Sequence, residues 1–147
     1  MPIEYKVQLP PFDEALFQAA TSLCEVVFNQ SVKDIGWRLE SMPCPSVICA
    51  RASGQLVGFK AGYAMSQSKY YSWLGGVHPN SQRQGIASRL MELQHEFLDA
   101  QGFEVIETAA DEDNTSMSQA NLKHGFTICG LRNEPHRVQV LFSKRLA

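Results

Sequence analysis

The stretch with the clearest chemical content reads Trp73-Leu74-Gly75-Gly76-Val77-His78-Pro79-Asn80-Ser81-Gln82-Arg83-Gln84-Gly85-Ile86-Ala87-Ser88. It passes from a strand-like run through a Pro-Asn turn into the start of a helical pattern. A helix N-terminus leaves its first N–H groups unpaired and carries about half a positive charge, so an anion such as a phosphate is held there by donors and dipole together. Gly85 and Ala87 keep the first turn bare, and no Ser, Thr, Asp or Asn stands immediately before it as a side-chain cap. The spacing therefore predicts a turn left open for an anionic ligand. Gly85 is not followed by Lys-Ser or Lys-Thr, and G-x-G-x-x-G is absent after every predicted strand. An ATPase P-loop and the usual dinucleotide fold are both disfavoured.

Other reactive side chains have plainer readings beside the functional ones. The pair Gly75-Gly76 fits either close approach of backbone to a ligand or a β-bulge. His78 is a base or substrate contact, or simply a turn residue, and His124 before Gly125 reads as a charge at a helix C-terminus. His95 and His136 have no partner at ligand spacing, so no metal site is expected. Asp111-Glu112-Asp113 could draw in a cationic molecule, but reads first as a solvated loop. Tyr63, Tyr70, Tyr71 and Trp73 could line a pocket, although alternation sends about half of them to the core. Cys24, Cys44, Cys49 and Cys129 form no C-x-x-C pair and are read as reduced thiols, mostly in the core, with Cys24 and Cys129 in apolar periodic segments.

The elements that must position these residues follow from periodicity. Residues 5–9 alternate like a strand, and Pro10-Pro11 stops them before Phe12, Leu16, Ala20, Leu23, Cys24 and Val27 recur at helical spacing. A shorter helix is predicted over 34–42, where Ile35, Leu39 and Met42 share a face before Pro43 and Pro45. Residues 46–52 and 55–65 form a hairpin about Ser53-Gly54, and 70–77 a third strand. The clearest helix has Ile86, Leu90, Leu93, Phe97 and Leu98 on one stripe and ends at Gly102. Strands over 105–110, 127–131 and 138–143 and a short helix over 117–124 complete the chain. This order suggests an α/β mixed sheet covered by helices.

The 147 residues are 44% hydrophobic and carry 13 basic against 15 acidic side chains, for a formal charge of -2. That describes a single domain over 1–147 in which cofactor and substrate share one core. Without clustered Lys and Arg, nucleic acid is not an expected partner. No apolar run approaches the roughly 20 residues of a membrane span, and Met1-Pro2-Ile3-Glu4-Tyr5 lacks a signal-peptide pattern. The expected address is cytoplasmic, with no membrane partner.

Taken together, Gln82-x-x-Gly85-x-Ala87 resembles the R/Q-x-x-G-x-G/A signature of the GNAT superfamily of N-acetyltransferases, entered as usual by Val77-His78-Pro79. Asn114, Met117, Asn121, Lys123, Gly125 and Phe126 are similar to the family's second signature. The element order is similar to the GNAT fold over almost the whole chain, which implies a mostly antiparallel sheet of about seven strands flanked by about four helices. The resemblance implies acetyl-CoA as co-substrate, its pyrophosphate wrapped by Arg83, Gln84, Gly85, Ile86, Ala87 and Ser88. It also places Gly75, Gly76 and Val77 and residues 107–110 along the thioester, with Asn114 near the cofactor.

Asn121 departs from the family, many of whose members carry there a Tyr that protonates the leaving thiolate. Asn has no titratable proton near neutral pH; it could contact the sulfur or the pantetheine but not act as a general acid. Some members place a Glu base where this chain has Tyr71, whose ordinary pKa near 10 makes it a poor one. The resulting expectation is direct attack of a neutral amine, positioned rather than activated, with the oxyanion met by a backbone N–H near Val77 and protons carried by water. The acceptor would be a small-molecule amine or a protein N-terminal or lysine amine. A non-catalytic acyl-CoA binding or sensing module is the alternative, and the final strands offer edges for a homodimer.

Overall fold

The computed structural model describes residues 2–146. Strand β1 (Ile3–Gln8) leads to helices α1 (Glu14–Phe28) and α2 (Ile35–Ser41), then to strands β2 (Ser46–Ala52), β3 (Gln55–Ala64) and β4 (Lys69–Val77). A single 3-10 turn, Pro79–Ser81, precedes α3 (Ile86–Ala100). The chain ends with β5 (Val105–Asp111), α4 (Thr115–Lys123), β6 (Thr127–Glu134) and β7 (Arg137–Arg145). Every predicted element is present in the predicted order.

The seven strands form one sheet in the order β1-β2-β3-β4-β5-β7-β6, and only the β4–β5 pair is parallel. Strand β2 is buried on both faces. Val47 and Cys49 join the α1–α2 core of Leu16, Phe17, Leu23 and Phe59, while Ile48 and Ala50 join Val77, Ile86 and Leu90 under α3. A third cluster packs Met91, Leu98, Ile106, Phe126 and Phe142 between α3, α4 and the second half of the sheet. The apolar stripes read from the sequence are thus the faces that seat the helices.

Differences lie at element ends. Helix α4 starts two residues before its first apolar position because Asn114 caps it, its Oδ1 accepting from the Met117 N–H at 3.1 Å. Strands β6 and β7 run longer than their apolar cores, to a hairpin at Glu134↔Arg137, since ladder bonds rather than burial hold these residues. Of the two final strands only β6 is an edge; β7 lies between β5 and β6. The four cysteines are free, as expected, but only Cys24 and Cys49 are buried. Cys129 is exposed because β6 has little covering either face, contrary to the packing role its apolar neighbours suggested. Among the described residues, no helix is long and apolar enough to cross a membrane.

An irregularity between Ala61 and Gly62 shapes everything that follows: Ala61 faces Leu74 and Gly62 faces Ser72, so Trp73 is an extra residue on β4. Such a bulge bends its strand. Gly62 is required there, since a Cβ would sit 2.4 Å from the Tyr71 carbonyl oxygen and 2.7 Å from Tyr70 Cε2. Gly62→Ala is expected to lower stability by about 3 kcal/mol through overpacking against backbone. Chemical denaturation measures this, and a variant as stable as the parent would contradict the bulged register.

Candidate active site

The parallel pairing of β4 with β5 runs from Lys69↔Val105 to Ser72↔Thr108 and stops. Thr108 Oγ1 donates to the Ser72 carbonyl at 2.9 Å beside the last pair. Beyond it the strands follow different partners: Leu74, Gly75 and Gly76 stay with β3, whereas Ala109, Ala110 and Asp111 stay with β7. Their facing edges form a wedge-shaped gap. The His78 N–H donates to the Val57 carbonyl, so its neighbour Val77 presents the other edge of the strand. The Val77 carbonyl accepts from Gln82 Nε2 at 3.1 Å, on that open side.

The helix expected to bind an anion starts beside this gap. Gly85 is the α3 N-cap, in the left-handed region at φ 79°, and no side chain caps it. Arg83 is left-handed too, at φ 64°, and a Cβ built on Gly85 would meet nothing within 4 Å. The first bond of the helix is Arg89 N–H to the Gly85 carbonyl, which leaves the preceding N–H groups without helical partners. Glycine is needed there for its φ, and the space above is open.

A cavity of about 520 Å³ runs from this turn toward the gap, between α3, α4 and the end of α1. Of the residues expected to contact the cofactor, Gly75, Gly76, Val77, Arg83, Gly85, Ile86, Ala87, Ser88 and Asn114 line this cavity. Gln84 does not, and Ser81 and Gln82 do. Glu107 is also outside, held by Lys69 at 3.1 Å in the paired part of the strands. The two glycines owe their identity to the protein's own packing: a Cβ on Gly75 would lie 2.8 Å from the Phe59 carbonyl oxygen, and one on Gly76 would lie 3.0 Å from Val27.

Asn121 is 1% exposed and lines neither this cavity nor the second one described below. Its Nδ2 is buried without a hydrogen-bond partner, as are the side-chain N and O of Gln94 and Nε2 of His95. His95 faces inward, its Nδ1 2.9 Å from Lys144 Nζ and its ring edge-on to Phe126. Burial, reinforced by Lys144, pushes its pKa down to about 3 from the usual 6.5. Between these values the unfolded chain binds a proton that the native state refuses, so stability falls as pH drops from 6.5 toward 3. His95→Leu is expected to flatten this part of a melting-temperature profile; an unchanged slope would place the acid sensitivity elsewhere. His124, read from sequence as a charge at a helix C-terminus, has its pKa lowered by burial, and its Nε2 sits 3.1 Å from Ser88 Oγ at the cavity wall. His78 caps the 3-10 turn through Nδ1, which accepts from the Asn80 N–H at 3.1 Å.

A second cavity, of about 610 Å³, opens against α2 and the C-terminal strands. Tyr63, Tyr71 and Trp73 line it, with ring centroids 5.8 and 6.3 Å from Tyr63, whereas Tyr70 is buried, its hydroxyl 2.6 Å from Ser46 Oγ. Of the acidic run, Asp111 pairs with Arg137 at 3.4 Å and accepts from Gln139 at 3.3 Å, while Glu112 and Asp113 are exposed. The two cavities meet at the gap, where Phe28, Lys60, Gly75, Asn114 and Met117 line both.

Lys60, like Arg38, is a side chain that the sequence reading missed. It lies on β3 opposite Gly75, whose missing Cβ would fall 3.1 Å from Lys60 Cγ, so the lysine stem fills that space. Burial lowers its pKa to about 8 from 10.5, and among the described residues no carboxylate pairs with it. A lysine amid Phe59, Ala61 and Gly62 of an inner strand was the available signal, since unpaired lysines are rarely buried.

Among the described residues, a mixed sheet with one parallel pair splays beside an uncapped helix start, the arrangement that the resemblance to the GNAT fold implies. The chain matches the acetyltransferase (GNAT) family over residues 13–126 and belongs to that family. The ribosomal-protein-S18-alanine N-acetyltransferase of Escherichia coli is similar in structure, with a TM-score of 0.84 at 12% identity over 98% of this chain and 95% of that one. So is a GNAT acetyltransferase of Elizabethkingia anophelis solved with acetyl-CoA bound, at 0.78 and 13% over 97% of each chain. An aminoglycoside 6'-N-acetyltransferase complexed with coenzyme A gives 0.79 and 14% over 100% of this chain and 98% of that one. No curated protein matches the sequence.

Proposed function

We propose that this acetyltransferase moves an acetyl group from acetyl-CoA to a primary amine by direct attack. The observation that carries the reading is the meeting of two cavities at the β4–β5 gap, one beginning at an uncapped helix start and the other lined by aromatic and charged side chains. Acetyl-CoA supplies the activated acetyl thioester. The bare first turn of α3 would hold its pyrophosphate through the N–H groups of residues 85–88, with Arg83 adjacent. The apolar walls of Val27, Phe28, Met91 and Met117 suit the pantetheine, and the open edges of the gap offer it strand-like hydrogen bonds.

The Val77 N–H, on the open side of β4, is positioned to meet an oxyanion developing on the carbonyl. The amine arrives from the second cavity as the free base, past Tyr71 and Trp73. Lys60 Nζ holds a proton where both cavities meet, available to the departing sulfur, and the proton shed by the attacking nitrogen returns to Lys60 through water. That role is the one Asn121, buried away from both cavities, does not fill. Acetyl-CoA breakdown with an amine panel, followed by free thiol, tests the reading together with the melting-temperature rise on adding coenzyme A. Thiol release that depends on the amine supports it, whereas a melting shift without release on any amine would favour the non-catalytic binding module.

A further inference from the structure

The charges lining the second cavity are unequal: Arg38, Lys60, Arg132 and Arg137 face only Asp111 and Glu134. Both carboxylates are engaged, Asp111 with Arg137 at 3.4 Å and Glu134 with Arg132 at 3.1 Å. Arg132 is held further by Gln139 Oε1 at 2.6 Å. Arg38 differs. Its Nη1 donates to the Tyr63 hydroxyl at 3.2 Å, and its guanidinium carbon lies 4.8 Å from the Trp73 ring centroid. Among the described residues no carboxylate lies in ion-pair range of it. The Tyr63 contact and the Trp73 face fix the plane of the guanidinium while using few of its five N–H donors.

A planar fork held in this way at the mouth of a cavity matches a carboxylate, which two parallel N–H groups can engage at once. We propose that the acceptor is an amine that also carries a carboxylate, with Arg38 binding the carboxylate and orienting the amine toward the gap. The same charge pattern argues against a polycation. A polyamine or aminoglycoside would find both carboxylates of the wall already paired and would meet Arg38 and Lys60 as like charges. Arg38 is here a specificity-determining residue, and the inference rests on the acetyl-transfer reading for its amine.

The test compares a chain-length series of ω-amino acids and α-amino acids with their amides and with a polyamine, using acetyl-CoA and free-thiol detection. At least one acid is expected to exceed its amide in kcat/KM by about 10- to 100-fold, the range of a charge-assisted hydrogen-bonded pair. Arg38→Met should remove that preference mainly through KM, lowering the rates of acids far more than those of their amides, and be partly rescued by Arg38→Lys. Amides or polyamines used as well as the acids would overturn the inference while leaving acetyl transfer intact. If no amine is acetylated, the transfer reading fails separately. Calorimetry of the same acids with the coenzyme A complex then decides: binding lost in Arg38→Met supports the carboxylate site, and no binding overturns it.

Discussion

Replacing Lys60 with Met is expected to lower kcat by about 10²- to 10⁴-fold, the range of a positioned proton donor or acceptor. Met keeps the length of the stem that lies beside Gly75 and removes only the charge, so packing and the cofactor cavity should survive. The pH dependence separates a chemical role from a structural one. With a pKa lowered by burial to about 8, Lys60 is mostly an ammonium at neutral pH and can give up a proton. As pH rises through about 8 that form is lost, so the parent should show a falling alkaline limb in kcat that the variant lacks.

Stability should move the other way. Between about 8 and 10.5 the unfolded chain binds a proton that the folded chain has released, so parent stability rises with pH across this window. Lys60→Met removes an unpaired, partly desolvated charge and should be at least as stable as the parent below that window. A variant that retains kcat within about twofold together with the alkaline limb would assign the proton to water instead.

The second large effect concerns Ala87 on the first turn of α3. Ala87→Glu places a carboxylate where a pyrophosphate is expected, and it should weaken coenzyme A binding by about 100-fold or more as donors are taken and like charges meet. A negative side chain on the first turn also stabilises a helix by about 0.3–1 kcal/mol. The variant should therefore melt at the same temperature as the parent or higher, yet lose most of the coenzyme A-induced rise. If that rise persists undiminished, the phosphates do not sit at this turn.

The architecture was legible because its signals are local and redundant. The stripe from Ile86 to Leu98, the Ser53-Gly54 hairpin and the Pro-bounded helices each fix an element on their own. The open turn was equally legible, since it depends on which residues are missing before Gly85. The second cavity was not, because its lining is brought together from elements that include α2, β3, β4, β6 and β7. Arg38, Tyr63 and Trp73 meet only through the sheet, and nothing in their spacing announces the contact. Asp111 shows the converse: it looks like a free acid in sequence and is neutralised by Arg137 across a strand pair. Gly75-Gly76 suggested a ligand or a bulge. The bulge lies at Trp73, and the glycines make room for the Phe59 carbonyl and for Val27.

An acetyl group that passes between the two cavities through the gap beside Lys60 must leave coenzyme A and reach the amine in one turnover. The most direct test of that transfer is a stoichiometric one, with isotopically labelled acetyl-CoA, a carboxylate-bearing amine and mass detection of every product. Labelled N-acetyl product and free coenzyme A are expected in equal amounts, formed in the parent and strongly slowed in Lys60→Met. Coenzyme A released without labelled amine, or tight binding with no release at all, would contradict it.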